Sequence, residues 1–122
     1  GADRLAALAQ LLGGLKAGGC SLAICSYNSK KTICKALGIV GLDGFFDAAR
    51  IYGREVWEAQ GTSGRWSKAE LIRARILGPA VAAPSDLCFL DDDEGHIKDV
   101  AAALPEARAI HVAHPPAFMR AA

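Results

Sequence analysis

The sequence predicts an α/β fold, an open parallel sheet flanked by helices. Two apolar runs, Ser21–Cys25 and Leu87–Leu90, read as buried strands, apolar on both faces as parallel strands between helix layers are. They alternate with segments of helical periodicity. Both runs also stop abruptly at polar residues, Ser26-Tyr27-Asn28-Ser29 and Asp91-Asp92-Asp93-Glu94, and in such sheets ligands bind outside the carboxyl ends of the strands.

Each element has its own signal. Residues 3–17 place Leu5, Leu8, Leu11, Leu12 and Leu15 close to helical spacing, with Asp3 at the start and Gly18-Gly19 as the stop. After the first strand, Ser29 is an N-cap for a helix through about Leu37, ending at Gly38. Residues 42–48 form a short helix or turn carrying Phe45 and Phe46, and Arg50–Tyr52 is a weak strand candidate. Residues 53–66, polar and Gly-rich with Trp57 and Trp66, read as a loop. Ser67 caps a helix over residues 68–77 with Leu71, Ile72 and Ile76 on one face, ended by Gly78-Pro79. A helix from Glu94 to Leu104 turns Ile97, Val100 and Ala101 inward, and Ala109–Val112 is the last strand. Residues 113–122 read as a loose tail on a single domain spanning 1–122.

Composition limits the function classes. Lys and Arg total 14 against 13 Asp and Glu, a formal charge of +1, which lacks the basic excess of a nucleic-acid or anionic-membrane binder. No apolar run approaches the roughly 20 residues of a membrane span, and no signal segment opens the chain. The four cysteines, Cys20, Cys25, Cys34 and Cys88, make no CxxC pair, so a structural zinc site is not expected. Cys20, Cys25 and Cys88 sit in or beside apolar runs and read as buried thiols, which fits a reducing, cytoplasmic compartment.

The chemistry-bearing residues gather at strand ends. Ser26 supplies a hydroxyl, and with Tyr27 and Asn28 a succession of backbone N–H groups leading into a helix N-terminus, an arrangement suited to an anion such as phosphate. Asp91 and Asp92 offer the hard carboxylate oxygens that Mg²⁺ prefers. Lys68 begins a helix after a loop, where an ammonium group can be aimed at a phosphate. His96 is read as solvated or supporting, and His111 as structural.

Taken in order, LAICSYNS (22–29), GLDGFFDAARIYG (41–53), SKAELI (67–72) and FLDDDEGHIKDV (89–100) resemble the haloacid dehalogenase (HAD) superfamily, in particular its magnesium-dependent phosphatase branch. The resemblance runs from about residue 20 to residue 112. It implies a Rossmann-like sheet and phosphomonoester hydrolysis through an aspartyl-phosphate, with Mg²⁺ shielding the phosphate. Ser26 then matches the hydroxyl that hydrogen-bonds the transferring phosphoryl group, Lys68 the charge-neutralising lysine, and Asp91 and Asp92 the acidic pair that holds Mg²⁺. Substrates implied are a phosphorylated small molecule or a phosphoprotein.

One departure is large. The nucleophile of that family lies in a DxDx(T/V) motif on a central strand upstream of everything quoted, and no such motif occurs in the sequence. The expectation is a chain that begins just after that strand, lacking the attacking carboxylate and its acid/base partner. Two strands that would flank the missing one are then expected to expose backbone groups, inviting self-association through strand edges. The alternative is a catalytically inactive module that keeps a phosphate or Mg²⁺ pocket.

Overall fold

The computed structural model describes residues 2–58, 67–77 and 83–112, so that the 59–66 part of the expected loop, the Gly78-Pro79 stop and the expected tail at 113–122 lie outside the described residues. The chain is mixed α/β with short parallel strands, and it divides into two compact units, Gly1–Arg65 and Trp66–Ala122. Among the described residues no helix is long and apolar enough to cross a membrane.

The first unit opens with helix α1, Ala2–Ala17. Asp3 lies in its first turn, not ahead of it as a cap. The Gly18-Gly19 stop is as expected, with Gly19 at φ 91° and the Cys20 N–H reaching back to the Leu15 carbonyl at 2.9 Å. The leucine stripe of α1 stays largely uncovered: Leu5, Leu8, Leu11 and Leu15 are all exposed. Strand β1 is only Ile24–Cys25, shorter than the apolar run, and pairs in parallel with β2, Ile51–Tyr52.

Helix α2, Lys30–Val40, has Ser29 as its N-cap, the Ser29 Oγ accepting from the Thr32 N–H at 3.2 Å. It runs past Gly38 and stops at Gly41 instead. Gly41 takes the left-handed conformation (φ 75°), so the Gly41 and Leu42 N–H groups close on the Gly38 and Leu37 carbonyls. A left-handed residue is what a helix stop of this kind requires, and Gly38 is not one. The Phe45–Phe46 segment is a 3₁₀ turn, as is Ala48–Arg50, with Leu42 buried and both phenylalanines half-buried. Residues 54–58, expected as loop, are instead helix α3, Arg54–Glu58.

In the second unit, Ser67 and Glu70 form a reciprocal capping box at the start of helix α4, Lys68–Leu71. Ile72–Ile76 continue it as a π-turn closed by the Leu77 N–H on the Ile72 carbonyl at 2.8 Å. Strand β3, Cys88–Asp91, pairs in parallel with β4, Arg108–His111, in the register Phe89 opposite Ala109 and Asp91 opposite His111. Helix α5, Glu94–Ala103, crosses between them and is capped by Asp93, whose side chain accepts from the His96 N–H. The Arg73 guanidinium donates to the Ala103 carbonyl, tying the π-turn to the end of α5. The core of this unit is Ala69, Ile72, Phe89, Val100 and Leu104. Ile97, Val100 and Ala103 make its α5 contribution, with Leu104 just past the helix end, and Ala101, expected inside, is exposed because the inward stripe steps from 100 to 103 and 104.

Two expectations are corrected by the pleat of β3. Phe89 points into the core, so Cys88 and Leu90 point the other way and are exposed, and no described helix of this unit covers them. The run is apolar on both faces, but only one face is covered. The reading of buried thiols fails with it: Cys20, Cys34 and Cys88 are exposed and Cys25 is half-buried, all four outside any disulfide. Among the described residues no strand joins β1–β2 to β3–β4, so each pair stands as its own two-stranded sheet.

Candidate functional site

The clearest predicted pair meets at the carboxyl end of β3. Lys68 is the first residue of α4, and Asp91 the last of β3, 23 positions later. The Lys68 ammonium donates to Asp91 Oδ2 at 2.7 Å, and the side chains are only 10% and 9% exposed. The capping box fixes the α4 backbone from which Lys68 projects, while the β3–β4 ladder fixes Asp91. Asp91 Oδ1 accepts from the Asp93 N–H at 2.9 Å, an Asx-type turn that leads the strand into α5. Partial burial pushes the Asp91 carboxyl up, but the Lys68 ammonium, the Asp93 N–H and a hydrogen bond with Asp92 together hold it below the usual carboxylate value.

Asp92 follows, exposed, with its carbonyl oxygen 3.1 Å from His111 Nε2 at the end of β4. His111 therefore braces the turn, in line with the structural role expected of it. His96 is partly buried, its Nε2 4.0 Å from Asp93 Oδ2. Lys68, Asp91 and Asp92 together carry one more negative than positive charge. Mg²⁺ is commonly held by one or two carboxylates, with water and substrate phosphate completing its shell. The hard oxygens of Asp91 and Asp92 fit that mode. Among the described residues no group of three or more His, Cys, Asp or Glu side chains converges as an all-protein metal cage does.

The other predicted residues belong to the first unit, on the loop between β1 and α2. Ser26 Oγ accepts from the Asn28 N–H at 3.1 Å, and the Ser26 N–H donates to the Tyr52 carbonyl at 3.0 Å. Tyr27 is half-buried and Asn28 exposed. The N–H groups expected to meet an anion are partly occupied from within. Ser29 takes the Thr32 N–H, the Ser29 carbonyl takes the Ile33 N–H, and the Lys30 N–H is shared by both carboxylate oxygens of Glu55 at 3.2 and 3.1 Å.

Glu55 is the residue that sequence reasoning missed, because it lies in the stretch read as loop. The available signal was an acidic residue in the first turn after Gly53, a common helix-start pattern. No family model matches the sequence, and no curated protein matches it either.

Proposed function

We propose that the chain is a HAD-like, Mg²⁺-dependent phosphatase domain, acting on a phosphomonoester of a small molecule or protein through an aspartyl-phosphate whose nucleophile this sequence does not contain. The observation that carries this reading is the Lys68–Asp91 ion pair, which unites at one strand end two residues that the resemblance assigns to one site. An open parallel sheet flanked by helices is the fold that belongs to this reading. Asp91 holds the Lys68 ammonium in one position, so its charge meets an incoming phosphate without the ordering cost of a mobile side chain. Asp91 and Asp92 would hold Mg²⁺, which supplies charge neutralisation at the phosphoryl oxygens when bound. The Ser26 hydroxyl hydrogen-bonds a phosphoryl oxygen, with the backbone of Tyr27 and Asn28 beside it. The near-zero net charge supports a substrate other than nucleic acid, and the compartment proposed is the cytoplasm.

The test is hydrolysis of p-nitrophenyl phosphate, with and without Mg²⁺, by this chain and by one extended with the coding sequence immediately upstream. Turnover only in the extended sample with Mg²⁺ supports the reading; its absence from both overturns it. A second reading is favoured by the missing DxDx(T/V) motif: a module that binds phosphate or Mg²⁺ without turning anything over. Calorimetric Mg²⁺ binding by a chain inactive in both forms supports that alternative.

A further inference from the structure

The loop from Ser26 to Ser29 is clasped along its length by the segment 52–55. The Ser26 N–H reaches the Tyr52 carbonyl at 3.0 Å, and the Arg54 N–H reaches the Asn28 carbonyl at 2.8 Å. At Gly53 the two backbones are so close that a Cβ there would lie 2.5 Å from the Lys30 nitrogen and 2.9 Å from the Asn28 oxygen. The Glu55 side chain joins this clasp, straddling the Lys30 N–H from 25 positions away. Its carboxylate therefore serves two helix starts, α2 through Lys30 and α3 through its own N–H.

We infer that Glu55 is a positioning residue for the Ser26–Ser29 loop, a carboxylate latch that loosens when it takes up a proton. A carboxylate binds an N–H far better than a neutral carboxyl does, so protonation weakens the Glu55 contact between α3 and the start of α2. The charged groups facing it are Lys30 on α2 and Arg54 on α3, both cations, and both favour the ionised form. The contacts with its own N–H and with that of Lys30 act in the same direction, and slight desolvation opposes them. The latch stands on hydrogen-bond geometry; only its consequence for turnover rests on the phosphatase reading.

The experiment follows the backbone amide resonances of Ser26, Asn28 and Lys30 by ¹H–¹⁵N NMR from neutral pH downward. It compares the wild-type chain with Glu55→Gln and Glu55→Ala, each with and without inorganic phosphate. In the wild type the Lys30 amide moves with a single-proton midpoint below the ordinary glutamate range, and in Glu55→Gln that step is gone. Amide exchange at Asn28 and Ser26 accelerates about tenfold in Glu55→Ala, the factor that loss of one capping interaction commonly makes, and less in Glu55→Gln, whose amide oxygen still accepts one hydrogen bond. A Lys30 amide that shows no carboxylate step in the wild type overturns the latch, and so does unchanged exchange at Ser26 and Asn28 in Glu55→Ala. Should phosphate leave every wild-type resonance in place while the latch behaves as stated, the phosphate role of the loop fails and the latch stands.

Discussion

Lys68 and Asp91 form a close ion pair, Nζ to Oδ2 at 2.7 Å, with both side chains about nine-tenths removed from solvent. Charges at such depth cost desolvation, and a pair recovers that cost only through close contact and further hydrogen bonds. Asp91 has the further bond, from the Asp93 N–H, so its carboxylate is satisfied on both oxygens. Lys68→Met keeps the aliphatic stem but leaves that carboxylate without its cation, and is expected to destabilise the second unit by about 1–3 kcal/mol. Asp91→Asn has one acceptor oxygen for two donors and leaves the Lys68 ammonium without its anion, so it should cost at least as much. Urea midpoints of the two variants against wild type check the order; equal midpoints for wild type and Lys68→Met would show that the pair contributes nothing to folding.

Truncation separates a buried leucine from one of the uncovered α1 stripe. Leu71 is fully buried, whereas Leu11 of α1 is 55% exposed. Leu71→Ala removes buried methyl groups and leaves a cavity, a change that costs about 2–5 kcal/mol in packed cores. Leu11→Ala leaves little cavity and should stay within about 0.5 kcal/mol, as exposed substitutions do. Thermal unfolding followed by circular dichroism distinguishes them, and a large loss at Leu11 would show that the α1 stripe is covered in solution.

Glycine placement gives a sharper test of local geometry. Gly53→Ala puts a methyl group into the Lys30 and Asn28 backbone, neither of which is a flexible tip that can move aside. Gly38→Ala meets open space in the last turn of α2 and removes a helix-weakening residue. The first should destabilise the first unit, and the second should stabilise it by about 0.5–1 kcal/mol. Opposite signs in denaturant midpoints are the expected result; a neutral Gly53→Ala would mean that the clasp around Lys30 is looser than its distances.

What the sequence disclosed, and what it withheld, follow one physical division. Ser29 and Ser67 were legible as caps because a cap is a local event, decided within four residues. The strand ending at Asp91 was legible from its apolar run, and Lys68 and Asp91 from their places at a helix start and a strand end, though their contact was not. Periodicity could not show how many faces of β3 would be covered. The sequence LCFL is apolar on both sides, yet only the Phe89 side meets helices of its unit, which exposed Cys88 and misled the thiol reading. The helix stop at Gly38 was misplaced because two glycines compete, and the choice falls on the one that reaches positive φ at the right turn. Glu55 escaped notice because its partner is 25 positions away and backbone, and no side-chain pattern encodes that.

The uncovered face of β3 has a consequence in solution. Leu90 is 55% exposed, with Ile110 opposite it on β4 and Val112 beyond, also exposed. Neighbouring apolar side chains left on a surface favour association. We expect self-association through this apolar face, with the weight-average mass rising with concentration in sedimentation velocity. Leu90→Lys should hold the chain monomeric throughout. A wild type that stays monomeric at the highest attainable concentration would remove self-association from the proposal.

Stability should carry the signature of the Glu55 carboxylate in its pH dependence. Its folded-state pKa lies below the ordinary glutamate value of about 4.3. A depressed folded pKa means that the unfolded chain binds the proton more readily, so acid favours unfolding. The contribution is therefore fully present above the unfolded pKa and is lost as pH falls through the folded one. Glu55→Gln has no such group. The stability difference between wild type and Glu55→Gln should be constant from pH 7 to about 5, and should shrink toward its low-pH limit across the carboxylate range below that. Urea midpoints collected at intervals between pH 7 and pH 3.5 measure it directly. A difference that does not change over that interval would mean Glu55 titrates alike in folded and unfolded chains, and that its contact with the Lys30 N–H does not persist in solution.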